Sequence, residues 1–354
     1  MALSKTQEAL LTKLREVSSS ELAVTLDDEV CSYLLAVIVA DLKLFEKFPE
    51  LPKKVAPFFG MESLSSLRLP NLDFTSLYER LLGLVGDADA YFYCLGTLHK
   101  ARLKYERILQ AQPIPTVDQV GPRALLQYGT LSPAALAAFL FWRKWVFDID
   151  NRAGQETGYL FEPVIASAIG GIPAPAKKSP IKRKGKNSGR QVDCLRASDK
   201  RAYEIKLRVT IAASGQGRWR EELQFPEDVR TSGYTPVLIV LDPTSNDKLK
   251  ELEGAFRAQK GEAYVGSAAW KHLAEKAGAT MATFLEIYVH SPIQALLDKA
   301  PEKLPDLLLH VTDGYIEVTI GGSEKLTIKR SPKPELASDE DEIPNDIDDH
   351  LATP

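Results

Sequence analysis

The chain has 354 residues, of which 44% are hydrophobic and 26% are charged, and both values are ordinary for a globular protein. Glycine and proline number 22 each, which argues against a collagenous or Pro/Gly-driven disordered chain. No apolar run approaches the ~18 residues of a membrane-spanning helix, so we expect a soluble protein with a sizeable core.

Charge is unevenly distributed along the chain. The formal net charge is −4, but residues 335–349 contain eight acids and neither Lys nor Arg, which leaves +4 for the remainder. Residues 176–190, in contrast, contain seven cations and no acid. The sequence therefore predicts a basic body followed by an acidic tail, residues 331–354, that is too poor in apolar residues to fold alone.

Residues 1–150 are predicted to be largely helical, because apolar residues recur there at helical spacing. Helices are predicted over residues 73–85, 88–111 and 133–148, the last beginning with a Ser132–Pro133 pair typical of a helix N-terminus. No residue pattern in this region indicates catalysis. We expect the region to wrap around DNA or to form a dimer.

Residues 151–330 alternate between strand and helix patterns and predict a mixed α/β core. The predicted strands cover residues 191–196, 201–210, 235–241 and 263–265, and the predicted helices cover residues 156–169, 218–230, 246–258 and 267–277. Residues 307–310, 315–320 and 325–329 are expected to add a terminal set of hairpins.

Three cysteines, widely spaced and without a C-x-x-C pattern, indicate neither a disulfide framework nor a zinc site. The N-terminus lacks the features of a secretory signal, so we expect a cytoplasmic protein. Signatures of P-loop NTPases, dinucleotide-binding folds, zinc proteases and α/β-hydrolases are absent, and the five histidines are scattered without ligand spacing.

One group of residues indicates chemistry: Asp193 on one predicted strand, with Glu204 and Lys206 on the next. Side chains two apart on a strand point to the same face, so Glu204 and Lys206 project together. A hairpin across residues 197–201 would bring Asp193 opposite Glu204. The alternative interpretation is structural, namely an aspartate near a turn and an ion pair on an exposed strand face.

Two carboxylates and an ammonium suit metal-assisted hydrolysis of nucleic acid. Carboxylate oxygens bind Mg²⁺, which polarises a phosphodiester and activates water, while an amine orients that water or stabilises negative charge. Asp41 and Lys43 repeat the same spacing, but in a helical pattern, where residues two apart do not face each other. Asp41 is therefore predicted to lie on a solvated helix face.

The region from residue 154 to 242 resembles the PD-(D/E)xK nuclease superfamily, and especially the type II restriction endonucleases. The matching features are a helix with a Gly-x-x-Phe-Glu pattern ending at Glu162, the strand with Asp193, the strand with Glu204 and Lys206, and an apolar strand at residues 236–241. Val192 stands where that superfamily has proline. The resemblance implies a restriction-endonuclease-like core with a central mixed sheet, Asp193, Glu204 and Glu162 as ligands of Mg²⁺, and Lys206 assisting the attacking water.

Basic and amide-bearing residues flank this group and are candidates for binding DNA, because cations track phosphates and Arg and Gln read bases. The candidates are Lys182, Arg183, Lys184, Lys186, Arg190, Arg208, Ser214, Gln216, Arg218, Trp219 and Arg220. The alternative for the basic stretch is a solvated loop. Glu221, Glu222 and Gln224 are close in sequence to the site, but an exposed helix face is the favoured interpretation for them.

The leading hypothesis is a Mg²⁺-dependent, sequence-specific endonuclease of double-stranded DNA, a type II restriction enzyme acting as a homodimer with a cognate DNA methyltransferase as its functional partner. No membrane partner is expected. Three alternatives stay open at this point: a repair, recombination or structure-specific nuclease on the same core, a catalytically inert DNA-binding protein, and a structural interaction protein.

Overall fold

A computed structural model describes residues 5–15, 24–185, 188–207 and 216–331. In these ranges the helices are α1 (Lys5–Arg15), α2 (Asp28–Asp41), α3 (Phe74–Leu84), α4 (Ala88–Ala111), α5 (Val117–Ala124), α6 (Pro133–Ala168), α7 (Gln216–Thr231), α8 (Asp247–Ala258), α9 (Ser267–Leu285) and α10 (Ser291–Asp298). The strands are β1 (Ile172–Ala174), β2 (Val192–Arg196), β3 (Arg201–Lys206), β4 (Thr235–Val240), β5 (Glu262–Val265), β6 (Leu307–Val311), β7 (Tyr315–Ile320) and β8 (Glu324–Lys329).

The chain forms two compact units, each assembled from separated segments. Of the described residues, unit 1 contains those in the ranges 5–15, 26–98 and 158–295, and unit 2 contains those in the ranges 24–25, 99–157 and 296–331. The boundary that the sequence suggests near residue 150 falls inside α6. The two helices expected at residues 133–148 and 156–169 are one, because residues 149–155 are helical as well; Pro163 costs α6 a backbone hydrogen bond without ending it.

Unit 1 is built on a mixed sheet with the strand order β1-β2-β3-β4-β5 among the described residues. β1, β2 and β3 pair in antiparallel fashion, whereas β3, β4 and β5 are parallel. Parallel strands need crossover connections, and the two helices α7 and α8 lie in the connections between β3, β4 and β5. The expected α/β class with a central mixed sheet flanked by helices is confirmed.

Helices α7 and α8 pack against β4 and bury one side of the sheet. The core there joins Ala202 and Leu238 from the sheet to Phe225 of α7 and Phe256 of α8, whose rings are stacked 5.8 Å apart. β4 is apolar along its whole length after Thr235, as expected for a central strand that is covered on both faces.

Beyond the predicted end at residue 277, α9 continues through a kink at Gly278, where φ is 70°, and leads to a π-helical turn at Glu286–His290. That turn carries Tyr288, whose hydroxyl donates a hydrogen bond to Asp41 at 2.5 Å. Tyr91 donates to the same carboxylate oxygen at 2.9 Å. Asp41 is thus partly buried and joins three elements of unit 1, and the prediction of a solvated helix face is wrong for this residue.

Unit 2 has its own antiparallel sheet, β6-β7-β8, so the terminal hairpins form a sheet separate from that of unit 1. Its core contains Trp145 of α6 together with Ile316 and Ile328 from the strands. The acidic tail expected at residues 331–354 lies outside the described residues except for Ser331.

The cysteines Cys31, Cys94 and Cys194 are free thiols, and all of them are buried. Burial raises the pKa of the Cys31 thiol to about 11. Among the described residues, no helix is long and apolar enough to cross a membrane.

Candidate active site

The hairpin formed by β2 and β3 brings the predicted residues together. Its register pairs Cys194 with Tyr203 and Leu195 with Ala202, which puts Asp193 opposite Glu204. Opposite residues of an antiparallel pair share a face of the sheet. The carboxylates of Asp193 and Glu204 therefore lie on one face, as the spacing predicts, while Tyr203 is buried on the other.

The Asp193 carboxylate also bonds to the backbone of the neighbouring strand. Its Oδ2 accepts a hydrogen bond from the N–H of Ile205 at 2.8 Å. This bond orients Asp193 towards the end of β3, where Glu204 and Lys206 each expose 18% of their side chains. The group is accessible enough for a substrate and sheltered enough for strong electrostatic interactions.

The Lys206 ammonium lies between two carboxylates. Its Nζ is 3.1 Å from Oε1 of Glu204 and 3.4 Å from Oε1 of Glu222 on α7. Burial by itself lowers the pKa of Lys206, but Glu204, Glu222 and Asp193 raise it above its ordinary value. Lys206 is therefore a permanent cation at neutral pH, suited to donating hydrogen bonds and not to accepting a proton.

The carboxylates repel one another. Burial raises the pKa of Asp193 well above its ordinary value, and the negative charges of Glu204 and of Glu162 on α6 raise it further. The hydrogen bond from Ile205 and the charge of Lys206 act in the opposite direction. Glu162 thus lies close enough to Asp193 to affect its ionisation.

The donor set fits a hard divalent cation. As they stand, no three His, Cys, Asp or Glu side chains within the described ranges are close enough together to enclose a metal ion. Mg²⁺, however, is commonly held by one or two carboxylates, with water and substrate phosphate completing its shell. A cation next to Asp193 and Glu204 would also offset the burial and the repulsion that together raise the pKa of Asp193.

In the basic stretch, residues 181–183 pair with residues 188–190 as the two arms of a hairpin, called the basic hairpin below, and the described residues are anchored to α7. The backbones of Lys182 and Gly189 pair as an isolated antiparallel β-bridge, and the backbone N–H of Arg190 donates to the Ile181 carbonyl at 2.9 Å. The backbone N–H of Lys184 donates to Asp228 of α7 at 2.8 Å. The described residues are therefore attached to the helix and do not form the solvated loop that was the alternative interpretation.

Several cations of this hairpin pair with acids of α7. Arg190 contacts the buried Asp228 at 2.6 Å and lies over the Phe225 ring, which places its guanidinium inside the protein. Arg183 contacts Glu221 at 2.9 Å, and the half-exposed Lys184 contacts Glu227. Lys182 is exposed. Arg190 therefore has a structural position, whereas Lys182 and Lys184 are exposed to solvent.

The remaining DNA-binding candidates are distributed differently. Trp219 packs towards α8, where its Nε1 donates to Glu251 at 3.1 Å and Lys248 lies 4.6 Å from the ring centre. Arg220 is exposed. Lys186, Arg208 and Ser214 lie outside the described residues, as do the side chains of Gln216 and Arg218.

Glu222 is the site residue that the sequence-based interpretation missed. Its side chain is 20% exposed and faces Lys206, although an exposed helix face is the favoured interpretation of the sequence. A signal was present, since Glu222 lies three positions from both Trp219 and Phe225, which pack into the core of unit 1. Helical spacing puts all three on the inward side of α7.

A mixed sheet that presents Asp, Glu and Lys from adjacent strands is the core of a nuclease of the restriction endonuclease class. The model of the ApaLI-like restriction endonuclease family matches residues 60–290, a range that includes all residues of this site. The type II restriction enzyme ApaLI of Acetobacter pasteurianus is 39% identical over 367 positions, which cover 96% of this chain and 98% of that protein. No solved structure matches the chain.

The chain belongs to the ApaLI-like restriction endonuclease family. It is accordingly a type II site-specific deoxyribonuclease, and the predicted resemblance to that class is confirmed.

Proposed function

We propose that the protein hydrolyses phosphodiester bonds of double-stranded DNA at specific sequences in a Mg²⁺-dependent reaction. The observation that carries this proposal is the convergence of Asp193, Glu204 and Lys206 at one end of the β2–β3 hairpin. In the reaction, a water oxygen forms a bond to phosphorus, one P–O ester bond breaks, and the departing oxygen takes up a proton.

Asp193 and Glu204 would hold the cation, with Glu162 as a further acidic ligand. Bound there, Mg²⁺ would supply positive charge that polarises the phosphate and lowers the pKa of a coordinated water. The raised pKa of Asp193 supports this role, because a carboxylate that is buried and surrounded by other negative charges gains most from a nearby cation.

Lys206 would orient the attacking water and stabilise the charge that develops on the phosphate oxygens. Its neighbours raise its pKa, so it remains an ammonium with three hydrogen-bond donors. A fixed cation in a partly buried site stabilises a developing negative charge without reorganisation during the reaction.

DNA contact is proposed for the basic surface beside this site. Lys182 and Arg220 are exposed there, and Arg183 and Lys184 make partly exposed ion pairs that are worth little in water and exchange readily for phosphate contacts. Lys186, Arg208, Ser214, Gln216 and Arg218 remain candidates from the sequence. Arg190 and Trp219 are excluded from this proposal, because their polar groups are bonded within the protein.

The assembly that we propose is a homodimer, because a palindromic duplex presents two strands to cut and a two-fold dimer directs one active site to each. We also propose that the protein acts in the cytoplasm. A cognate methyltransferase that protects the DNA of the producing cell would be the second part of the restriction-modification system.

The test is a mixed-sequence plasmid incubated with the full chain, with and without Mg²⁺. We expect discrete fragments only with Mg²⁺, loss of cutting in the Asp193→Ala and Lys206→Ala variants, and cutting unchanged in Glu253→Gln. Glu253 is a matched control, since it pairs with Arg257 within α8 and its side chain is 19% exposed. Full cutting by both alanine variants would contradict the proposal, and light scattering with and without DNA tests the dimer.

A further inference from the structure

Lys206 has a second carboxylate partner that comes from a different element. Glu204 belongs to the same strand as Lys206, whereas Glu222 belongs to α7, and the two carboxylates lie 3.1 and 3.4 Å from the ammonium. Both acids are about as sheltered as the lysine, with 18% and 20% of their side chains exposed. Neither contact is therefore a fully solvated surface pair.

Glu204 cannot bind the Lys206 ammonium and a divalent metal ion with equal strength at the same time. In the described structure, its Oε1 accepts a hydrogen bond from Lys206. Under the proposed function, Glu204 also binds a divalent cation, which attracts carboxylate oxygens more strongly than an ammonium does. A partly buried ammonium that loses its partner is costly, and it would move towards another acceptor or towards water.

Glu222 provides that acceptor. It belongs to α7, and not to β2 or β3, the strands that present the proposed metal ligands. The preceding residue, Glu221, makes two contacts with the basic hairpin. Its carbonyl accepts a hydrogen bond from Arg190, and its carboxylate contacts Arg183. Further along α7, Asp228 forms the buried ion pair with Arg190. The basic hairpin thus fixes the segment of α7 that presents Glu222 to Lys206.

We propose that Glu222 is a positioning residue for Lys206: it holds the ammonium at the site when Glu204 binds the divalent cation. This inference rests on the proposed function. It makes α7 part of the catalytic apparatus through a residue that need not touch DNA or metal, and it explains why an acid occurs on the inward side of this helix.

The experiment compares Glu222→Gln with wild type and with Glu253→Gln, an equivalent change in the Glu253–Arg257 pair of α8. Single-turnover plasmid cleavage is measured while Mg²⁺ is titrated. We expect the Glu222→Gln rate to fall about 10- to 100-fold, since misplacement of a catalytic group has effects of this order. The half-saturating Mg²⁺ concentration should rise several-fold, because Lys206 then competes for Glu204 without a second partner.

A second readout uses the metal-free protein. A lysine-acylating reagent is applied, and labelling of Lys206 is followed by mass spectrometry against that of Lys250, an exposed lysine of α8. We expect Lys206 to react several-fold faster in Glu222→Gln than in wild type. DNA binding in the presence of a chelator and the melting temperature should match those of wild type.

The inference is overturned if Glu222→Gln retains the wild-type Mg²⁺ dependence and the wild-type labelling of Lys206, whether or not its cleavage rate falls. A lower rate alone would indicate only a structural role. Failure of the proposed function has a different signature: wild type itself would give no Mg²⁺-dependent fragments, and the labelling of Lys206 would still decide whether Glu222 holds it.

Discussion

Oδ2 of Asp193 accepts a hydrogen bond from the backbone N–H of Ile205, the residue between Glu204 and Lys206. The bond crosses from β2 to β3, so it ties the position of one acid to the strand that presents the other two site residues. A shift of one residue in the hairpin register would turn Glu204 and Lys206 to the opposite face. Correct pairing of these strands is thus a condition for assembly of the site.

Asp193→Asn is predicted to change how the protein responds to metal. Without metal at about pH 8, the variant should melt at a higher temperature than wild type, because a raised carboxyl pKa means that wild type loses stability as the pH rises from the ordinary value of 3.8 towards the raised folded value. Added Mg²⁺ should raise the melting temperature of wild type through binding to the folded state, and should have little effect on the variant. Thermal melts across a Mg²⁺ series measure both effects. A variant that melts lower without metal, or responds to Mg²⁺ like wild type, would contradict this account.

Arg190→Ala is predicted to destabilise the fold. The substitution leaves Asp228 buried without its cation, and breaking a buried pair in this way costs about 3–5 kcal/mol. Lys182→Ala removes an exposed cation of the same hairpin and should change the free energy of unfolding by less than about 0.5 kcal/mol. Urea denaturation of the two variants makes the comparison, and equal midpoints would argue against an internal role for Arg190.

Lys182→Ala is predicted to reduce the salt dependence of DNA binding. Each phosphate contact contributes about 0.9 to the slope of log affinity against log salt concentration, so the slope should fall by about that amount. The control is Lys250→Ala, an exposed lysine of α8 whose loss should leave the slope unchanged. Binding to mixed-sequence duplex DNA in a chelator, from about 50 to 200 mM salt, gives the slopes. Identical slopes for both variants would remove Lys182 from the DNA surface.

Asp41→Asn is predicted to become more stable than wild type as the pH rises. Burial raises the pKa of Asp41, although the hydrogen bonds from Tyr288 and Tyr91 act to lower it. The unfolded carboxyl ionises near its ordinary pKa of 3.8, so wild type loses stability from that pH up to the raised folded value. The difference in the free energy of unfolding between Asp41→Asn and wild type should grow across this pH window by about 1.4 kcal/mol for each unit by which folding raises the pKa. Above the window it should stay constant.

Urea unfolding of wild type and Asp41→Asn between about pH 4 and 8 measures this difference, because asparagine retains an acceptor oxygen for the tyrosines. Asp41→Leu is the complementary variant. It removes the acceptor that the two hydroxyls share, although one hydroxyl can still bond to the other, and should cost about 1–3 kcal/mol. A gap between wild type and Asp41→Asn that does not vary with pH would contradict the prediction.

The spacing of residues correctly predicted that Asp193 lies opposite Glu204. Eleven positions separate Asp193 from Glu204, and with a short turn this spacing fixes which residues face each other across a hairpin. Alternation along β3 then separates Glu204 and Lys206 from the buried Tyr203. Both rules are local, which is why they can be applied without knowledge of the tertiary structure.

The surroundings of the site depend on contacts between residues far apart in the sequence. Arg190 belongs to a run of cations typical of a solvated surface, and only its encounter with Asp228, 38 positions later, makes it internal. Asp41 is similar, since its partner Tyr288 is 247 positions away. The polar character of these residues was evident from the sequence, but their burial was set by partners that no local pattern identifies.

Because the thiols of Cys31, Cys94 and Cys194 are buried, the rate at which they are alkylated measures how often the fold opens. A thiol reacts as its thiolate, and burial disfavours that form while blocking access to the reagent. Alkylation in native buffer therefore reports excursions in which the interior of unit 1 becomes exposed. A single cysteine introduced on the surface would, for the same reason, accept a fluorescent dye selectively.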